Sequence, residues 1–142
     1  MNATMTAGTI TVTDNDRQRL GTLLQSQLAL EMAERRQIED LDSKLERARA
    51  VSPHQAPPDV VTMNSVVRLR DLETDEAEVY QLVYPEQARI AERRISVLAP
   101  VGTAILGHAE GSIVEWPVPG GRCRLRIDEV IYQPERAGEF HL

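Results

Sequence analysis

The chain has one cysteine, one tryptophan, one phenylalanine and three tyrosines in 142 residues, and each shortage removes a class of protein. Cys123, standing alone, excludes an internal disulfide framework and fits a reducing compartment. Aromatic residues at 4% are too few for the aromatic-lined pocket of a peptidyl-prolyl isomerase. No apolar run approaches the roughly 20 residues that span a bilayer. The opening MNATMTAGTITVTD lacks the basic start and apolar middle of a secretory signal, so the expected location is cytoplasmic, with no membrane partner. Sixteen basic and 22 acidic residues give a net charge of −6, which would repel a phosphate backbone, so direct sequence-specific nucleic-acid binding is not expected.

Catalytic patterns are equally scarce. His54, His108 and His141 fall in a linker, at a helix end and at the C-terminus, without metal-ligand spacing. His108 reads as a cation facing the C-terminal end of a helix. Pro119-Gly120-Gly121 has neither the lysine nor the hydroxyl residue of a phosphate-binding loop and sits between strands, where it makes a hairpin turn. Cys123 alternates with its strand neighbours and reads as a small core residue. These residues supply no catalytic group, no metal site and no cofactor site; the expectation is a protein that is not an enzyme.

What is present divides into two regions. Ile10 and Val12 can form a brief strand or anchoring arm. Thr13 and Asp14 suit a helix N-cap, and Asp14 and Asp16 favour the positive end of its dipole. Leu20, Leu23, Leu24 and Leu28 form one apolar stripe. Ile38, Leu41, Leu45 and Ala48 form a second, with the three-and-four spacing of a coiled-coil seam. Extending the first register places Gln27, Glu34 and Gln37 on the seam, so the register breaks between about Leu30 and Gln37. Two arrangements satisfy this: a short antiparallel hairpin with its tip in Ala29 to Arg36, compatible with a monomer, or one continuous helix from Asn15 to Ala50 that would dimerise through its leucines. The tip has no Gly, Pro, Asn or Asp to mark a turn. Ser52 to Pro58, SPHQAPP, stops any helix, which divides the chain into residues 1–51, a linker at 52–58, and a domain over 59–142.

The second region reads as strands at Val60 to Met63, Val66 to Leu72 and Ala77 to Tyr84, then a polar loop to Arg94. A helix follows from Pro100, which suits a first turn, to Gly107, which can end a helix at positive φ. Ile113 to Trp116 and the alternating segment through Ile127 make a hairpin about the Pro-Gly-Gly turn. Strands with one helix predict an α+β domain with a mostly antiparallel sheet. Arg68 and Arg70 on one strand and Arg122, Arg124 and Arg126 on another each alternate as a solvent-facing sheet surface, and would share one face if the two strands are neighbours. That face is either solvated or a docking surface for an acidic partner, with Glu115, Asp128 and Glu129 placed to neutralise it.

The string ISVLAPVGTAILG, then EG-IVEWPVPGG, then IDEVIYQ resembles the C-terminal domain of the bacterial GreA/GreB transcription elongation factors. DVVTMNS from Asp59 and LVYP from Leu82 resemble the Rnk members of that family. The likeness runs from about Pro58 to Leu142. It implies an FKBP-like fold, without the isomerase activity, behind an N-terminal helical hairpin. It also implies a non-enzymatic regulator that binds RNA polymerase at the secondary-channel entrance and competes there with Gre factors. The residues matching the loop that grips the polymerase rim are Leu98, Ala99, Pro100, Val101 and Gly102.

Gre factors carry an Asp and a second acidic residue three positions on at the hairpin tip, which complete the polymerase Mg2+ site and stimulate RNA cleavage. Glu31 and Glu34 have that spacing, yet Glu replaces the Asp and the Asn-rich surroundings are missing; Arg35 and Arg36 stand ready to pair with them. They are expected to be exposed helix carboxylates. Between Asp14 and Ala50 there is room for two arms of about 15 residues, roughly 22–25 Å each, which is short for a hairpin that must reach the polymerase active centre. The alternatives are a cleavage factor using Glu31 and Glu34, or an isomerase.

Overall fold

The computed structural model describes residues 10–26, 34–140 and 142. The chain opens with β1 (Thr11–Thr13), α1 (Asp14–Leu24), α2 (Arg35–Arg47) and β2 (Arg49–Val51). After a 3-10 turn at Pro53–Gln55 come β3 (Val66–Asp71), β4 (Ala77–Val83), β5 (Arg94–Ser96), α3 (Pro100–Ile105), β6 (Ile113–Val118) and β7 (Gly121–Tyr132). This is the mixed α+β architecture expected, with three α-helices among the described residues.

Thr13 is the N-cap of α1, its Oγ1 accepting the Asp16 N–H at 3.0 Å, so Asp14 falls inside the first turn. The helix ends at Leu24, and Glu34 begins a new one with extended backbone, φ −72° and ψ 151°. A single helix through Asn15 to Ala50 is therefore excluded. Glu34 is the N-cap of α2, while Glu31 lies outside the described residues together with Leu28 and most of the predicted tip. Arg35 and Arg36 are helical, and Arg35 pairs with Glu39 at 3.2 Å. β1 and β2 lie parallel, Val12 opposite Ala50, so α1 leads away from this pair and α2 returns to it.

The five-stranded sheet has the order β5-β4-β3-β7-β6. Its pairings are antiparallel except β4 with β5. β6 and β7 meet at Pro119-Gly120, where Gly120 takes φ 85°. That positive φ costs glycine nothing and would strain any other residue. The apolar stripe of α2 contributes Leu41, Leu45 and Ala48 to the same buried cluster as Val67 and Leu69 of β3, Leu82 of β4 and Ile127 of β7. Leu20 of α1 and Val12 of β1 belong to it as well. One core thus unites the N-terminal helices with the sheet. The Pro-rich segment is tied down by Gln133, whose Nε2 donates to the carbonyls of Pro57 and Val60 at 2.8 and 2.7 Å.

Candidate docking site

The five loop residues singled out in the sequence separate by burial. Leu98 is buried in the core, its N–H held by Ser96 Oγ at 3.0 Å. Gly102 is also buried, and a Cβ there would stand 2.1 Å from the Ser96 carbonyl oxygen, so α3 seats against β5 only because this residue has no side chain. Thr103 Oγ1 donates to the Val97 carbonyl at 2.6 Å, and the Thr103 N–H to Ala99 at 3.0 Å. These bonds fix the loop from within. Pro100, exposed at the first helical position, and half-buried Ala99 and Val101 are what it offers outward.

Val101 faces a cavity of about 360 Å³ on the α3 side of the sheet. Leu69, Ile95 and Leu125 line it with Tyr80, Trp116 and Cys123. Ile90 lies at this cavity too and is 71% exposed, the largest exposure among the large apolar side chains described. Asp71, Glu76 and Glu78 add acidic groups to the same lining. Asp71 Oδ1 accepts the Glu73 N–H at 2.8 Å and shapes the turn in which Asp75 adopts φ 63°. Glu78 accepts from the Tyr80 hydroxyl at 2.6 Å and pairs with Arg93 at 2.7 Å. The Tyr80 hydrogen bond, with Arg93 assisting, holds the Glu78 carboxyl below its usual range. Cys123, half-buried and not a core residue as expected, has its thiol pKa pushed up by burial and then by Asp71 and Glu73. A larger groove of about 770 Å³ lies between α2 and the β6–β7 hairpin, with Gln37, Asp40, Lys44, Pro100 and Trp116 along it.

The arginine face is resolved by pairing. Arg68 meets Glu129; Arg70 and Arg126 each bond Asp128 at 2.8 Å; Arg122 and Arg124 share Glu115 at 3.0 and 3.4 Å. A register shift in β7 makes this possible: Glu129 stands opposite Arg68 and Ile127 opposite Leu69, leaving Asp128 as the extra residue of a bulge on the arginine side. Burial of Asp128 opposes its ionisation, but the hydrogen bonds from Arg126 and Arg70 outweigh it and hold the carboxyl low. The face carries its own counter-charges.

Two buried charges join the helices to the domain, and neither role was foreseen in the sequence. Asp16 is 2% exposed and its carboxylate accepts the Met63 N–H at 3.0 Å. Burial raises its pKa to about 7, with Met63 pulling the other way and Glu135 adding to the rise. Lys44 is 5% exposed and its ammonium donates to the Thr103 and Ala104 carbonyls at 2.7 and 2.8 Å, closing the C-terminal end of α3. Burial, reinforced by Arg47, lowers its pKa to about 7. His108 therefore does not play the dipole role assigned to it: it is buried, and burial with Lys44 and Arg47 nearby lowers its pKa to about 3, leaving it neutral. A signal for both charges existed in the spacing. Asp16 stands four residues before Leu20, and Lys44 stands three after Leu41 and four before Ala48, so each lies on an apolar stripe.

Among the described residues no group of three or more His, Cys, Asp or Glu is placed to hold a metal, and no helix is long and apolar enough to cross a membrane. Residues 55–132 match the family model described as "Transcription elongation factor, GreA/GreB, C-term". The chain is 40% identical over 141 residues to the Escherichia coli K12 protein named "Regulator of nucleoside diphosphate kinase", covering 97% of this chain and 100% of that one. It is 39% identical over 103 residues to GreA of Desulfotalea psychrophila, covering 72% of this chain and 61% of that one. A solved structure titled as a prokaryotic transcription elongation factor GreA/GreB from Nitrosomonas europaea superposes with a TM-score of 0.70 at 43% identity, covering 88% of this chain and 99% of that one. The loop from Leu98 to Gly102, α3 and the β6–β7 hairpin all fall within the matched segment, and the chain belongs to the GreA/GreB transcription elongation factor family.

Proposed function

We propose that this chain is a non-enzymatic transcription regulator that binds RNA polymerase at the rim of its secondary channel and competes there with Gre factors, without stimulating transcript cleavage. The observation that carries the reading is the length of its helices. α1 has 11 residues and α2 has 13, or about 16 and 20 Å at 1.5 Å per residue. Helices this short hold a tip near the channel mouth. The comparisons run the same way: the chain matches the whole of the Escherichia coli regulator but only 61% of the Desulfotalea GreA. The curled sheet around α3 supports an FKBP-like assignment for residues 59–142, with residues 1–51 as a short coiled-coil hairpin and 52–58 as the linker. In this reading the protein acts as a cytoplasmic monomer, without a metal or cofactor of its own, and Pro100 with Val101 makes the rim contact.

The test is RNA cleavage in stalled, backtracked elongation complexes. The chain should inhibit Gre-stimulated cleavage as its concentration rises and should produce no cleavage alone at saturation. Glu31→Ala with Glu34→Ala should leave the inhibition unchanged. A cleavage ladder made by the wild-type chain and lost in the double variant would overturn the reading and make those carboxylates metal ligands.

A further inference from the structure

The groove of about 770 Å³ between α2 and the β6–β7 hairpin is uneven in charge. The Arg49 N–H donates to the Ile10 carbonyl at 2.7 Å, which brings the C-terminal end of α2 beside β1, and there Ile10, Lys44, Arg47 and His108 line the groove together. No carboxylate answers these cations: among the described residues neither Lys44 nor Arg47 forms an ion pair. Glu34 and Asp40 line the groove a turn or more back along α2, and Glu115 is held by Arg122 and Arg124. Lys44 gives two N–H groups to the Thr103 and Ala104 carbonyls, and an ammonium has three. His108 is 6% exposed, yet its ring nitrogens form no hydrogen bond among the described residues and are not sealed from solvent, so the polar edge of the ring opens on the groove it lines. The cations lower its pKa and keep it neutral, which leaves one ring N–H as a donor.

We propose that this groove binds a nucleotide, with its phosphates held by Lys44, Arg47 and an N–H of His108 and its base laid against Trp116. Buried cations without a counter-ion are costly, and a phosphate in the recess offsets that cost. Hydrogen bonds from ammonium and guanidinium groups to phosphate are charge-assisted and strong, and a guanidinium can present two parallel N–H groups. Trp116 lies two residues along β6 from Val114, lines the same groove and is half-buried. Its ring is the flat apolar surface on which a base stacks, whatever the base. The groove also has the size of a small-molecule site, about 300–1,000 Å³. Lys44 titrates at about 7 because burial and Arg47 oppose its charge. An anion beside it reverses that balance, so binding takes up a proton and weakens as pH rises above 7. The acidic groups facing Lys44 along the groove, Asp40 and Glu34 of α2 and Glu115 of β6, stay ionised over that range and do not change the sign.

Trp116 is the chain's one tryptophan, so its fluorescence reports occupancy of the groove. Binding is read without polymerase and so stands apart from the proposed rim contact. With the full chain at pH 7, ADP should quench Trp116 saturably and bind at least tenfold more tightly than adenosine, which lacks the phosphates, or pyrophosphate, which lacks the base. Arg47 is exposed, and Arg47→Glu should weaken ADP at least tenfold with the fold intact by circular dichroism. Arg35→Glu, an equal charge change on α2 outside the groove, should leave the affinity within twofold. From pH 7 to pH 9 the affinity of the wild-type chain should fall at least fivefold, and Lys44→Met should bind weakly at both values. Equilibrium dialysis with radiolabelled ADP checks each constant independently of fluorescence. Absence of saturable ADP binding, adenosine or pyrophosphate binding as tightly as ADP, or an equal loss in Arg47→Glu and Arg35→Glu would overturn the proposal. So would an affinity that rises between pH 7 and pH 9.

Discussion

The junction between the N-terminal helices and the sheet holds two charges, and the arginine face of the same sheet holds eight, yet the two regions use charge in opposite ways. At the junction Asp16 and Lys44 are almost fully buried, and both bond to backbone groups, not to each other. On the arginine face five guanidiniums and three carboxylates pair in partly solvated geometry. Water screens the second set, so its pairs contribute little individually. Removing a partner from the first set leaves a buried polar group unmet, which costs more. Few and buried outweighs many and exposed.

The sharpest way to break this comparison is to weaken the apolar packing around the buried charges. Leu41 is fully buried on α2, one turn from Lys44, and Leu41→Ala should lower the unfolding free energy by about 2–5 kcal/mol. Urea denaturation measures it, and a loss below that range would mean the helices are not part of the core. Exposed-face truncations should never approach this value.

Next in size is the pH dependence. Asp16 rises from its ordinary 3.8 to about 7 on folding, so the stability it contributes is full below its unfolded value and is lost as pH rises through about 7. Lys44 falls from 10.5 to about 7, so its contribution is full above 10.5 and is lost as pH falls through about 7. Stability should pass through a minimum near neutral pH, each limb sloping by at most about 1.4 kcal/mol per pH unit. Asp16→Asn should flatten the acid limb and Lys44→Met the alkaline limb. A profile level from pH 5 to pH 9 in the wild-type chain would mean that both groups are solvated.

Asp16→Ala should cost about 1–3 kcal/mol at pH 6, because the buried Met63 N–H then loses its acceptor. A near-zero change, read by the same denaturation, would show that water replaces the carboxylate. Smallest of all is Arg124→Ala on the sheet face. Arg122 remains on Glu115 at 3.0 Å, so the change should stay within about 0.5 kcal/mol. A larger loss would make that face a cooperative network and blur its contrast with the junction.

Local chemistry made much of the fold legible. Thr13 before an acidic first turn marked α1, Pro100 and Gly107 bracketed α3, and alternation around Pro119-Gly120 drew the last hairpin. The break in leucine register left one helix or two open, and the extended backbone at Glu34 decides for two. At the site, the loop from Leu98 to Gly102 could be located but not divided, because whether a side chain faces the core or the outside depends on the strand it lands against. His108 and Lys44 show the same limit. Both lie within reach of the end of α3, and only the docking of α2 onto that end makes the lysine its partner and leaves the histidine neutral.

The sequence by itself determined most of the elements, their order, the family and the alternation of the arginine face, since each depends on neighbours within a turn or a strand; the expected strand from Val60 to Met63 is instead a single bridge from Val60 to Ala109, and β2 stands where the second helix was expected to end, because both pairings depend on distant partners. Tertiary structure decided which charges are buried, that a bulge at Asp128 brings the arginines their counter-ions, and that Ile90, Val101 and Cys123 line one cavity together with Asp71, Glu76 and Glu78. Those residues are brought together by strand pairing and helix docking across the chain, and burial, which sets both pKa and exposure, exists only once that packing is complete.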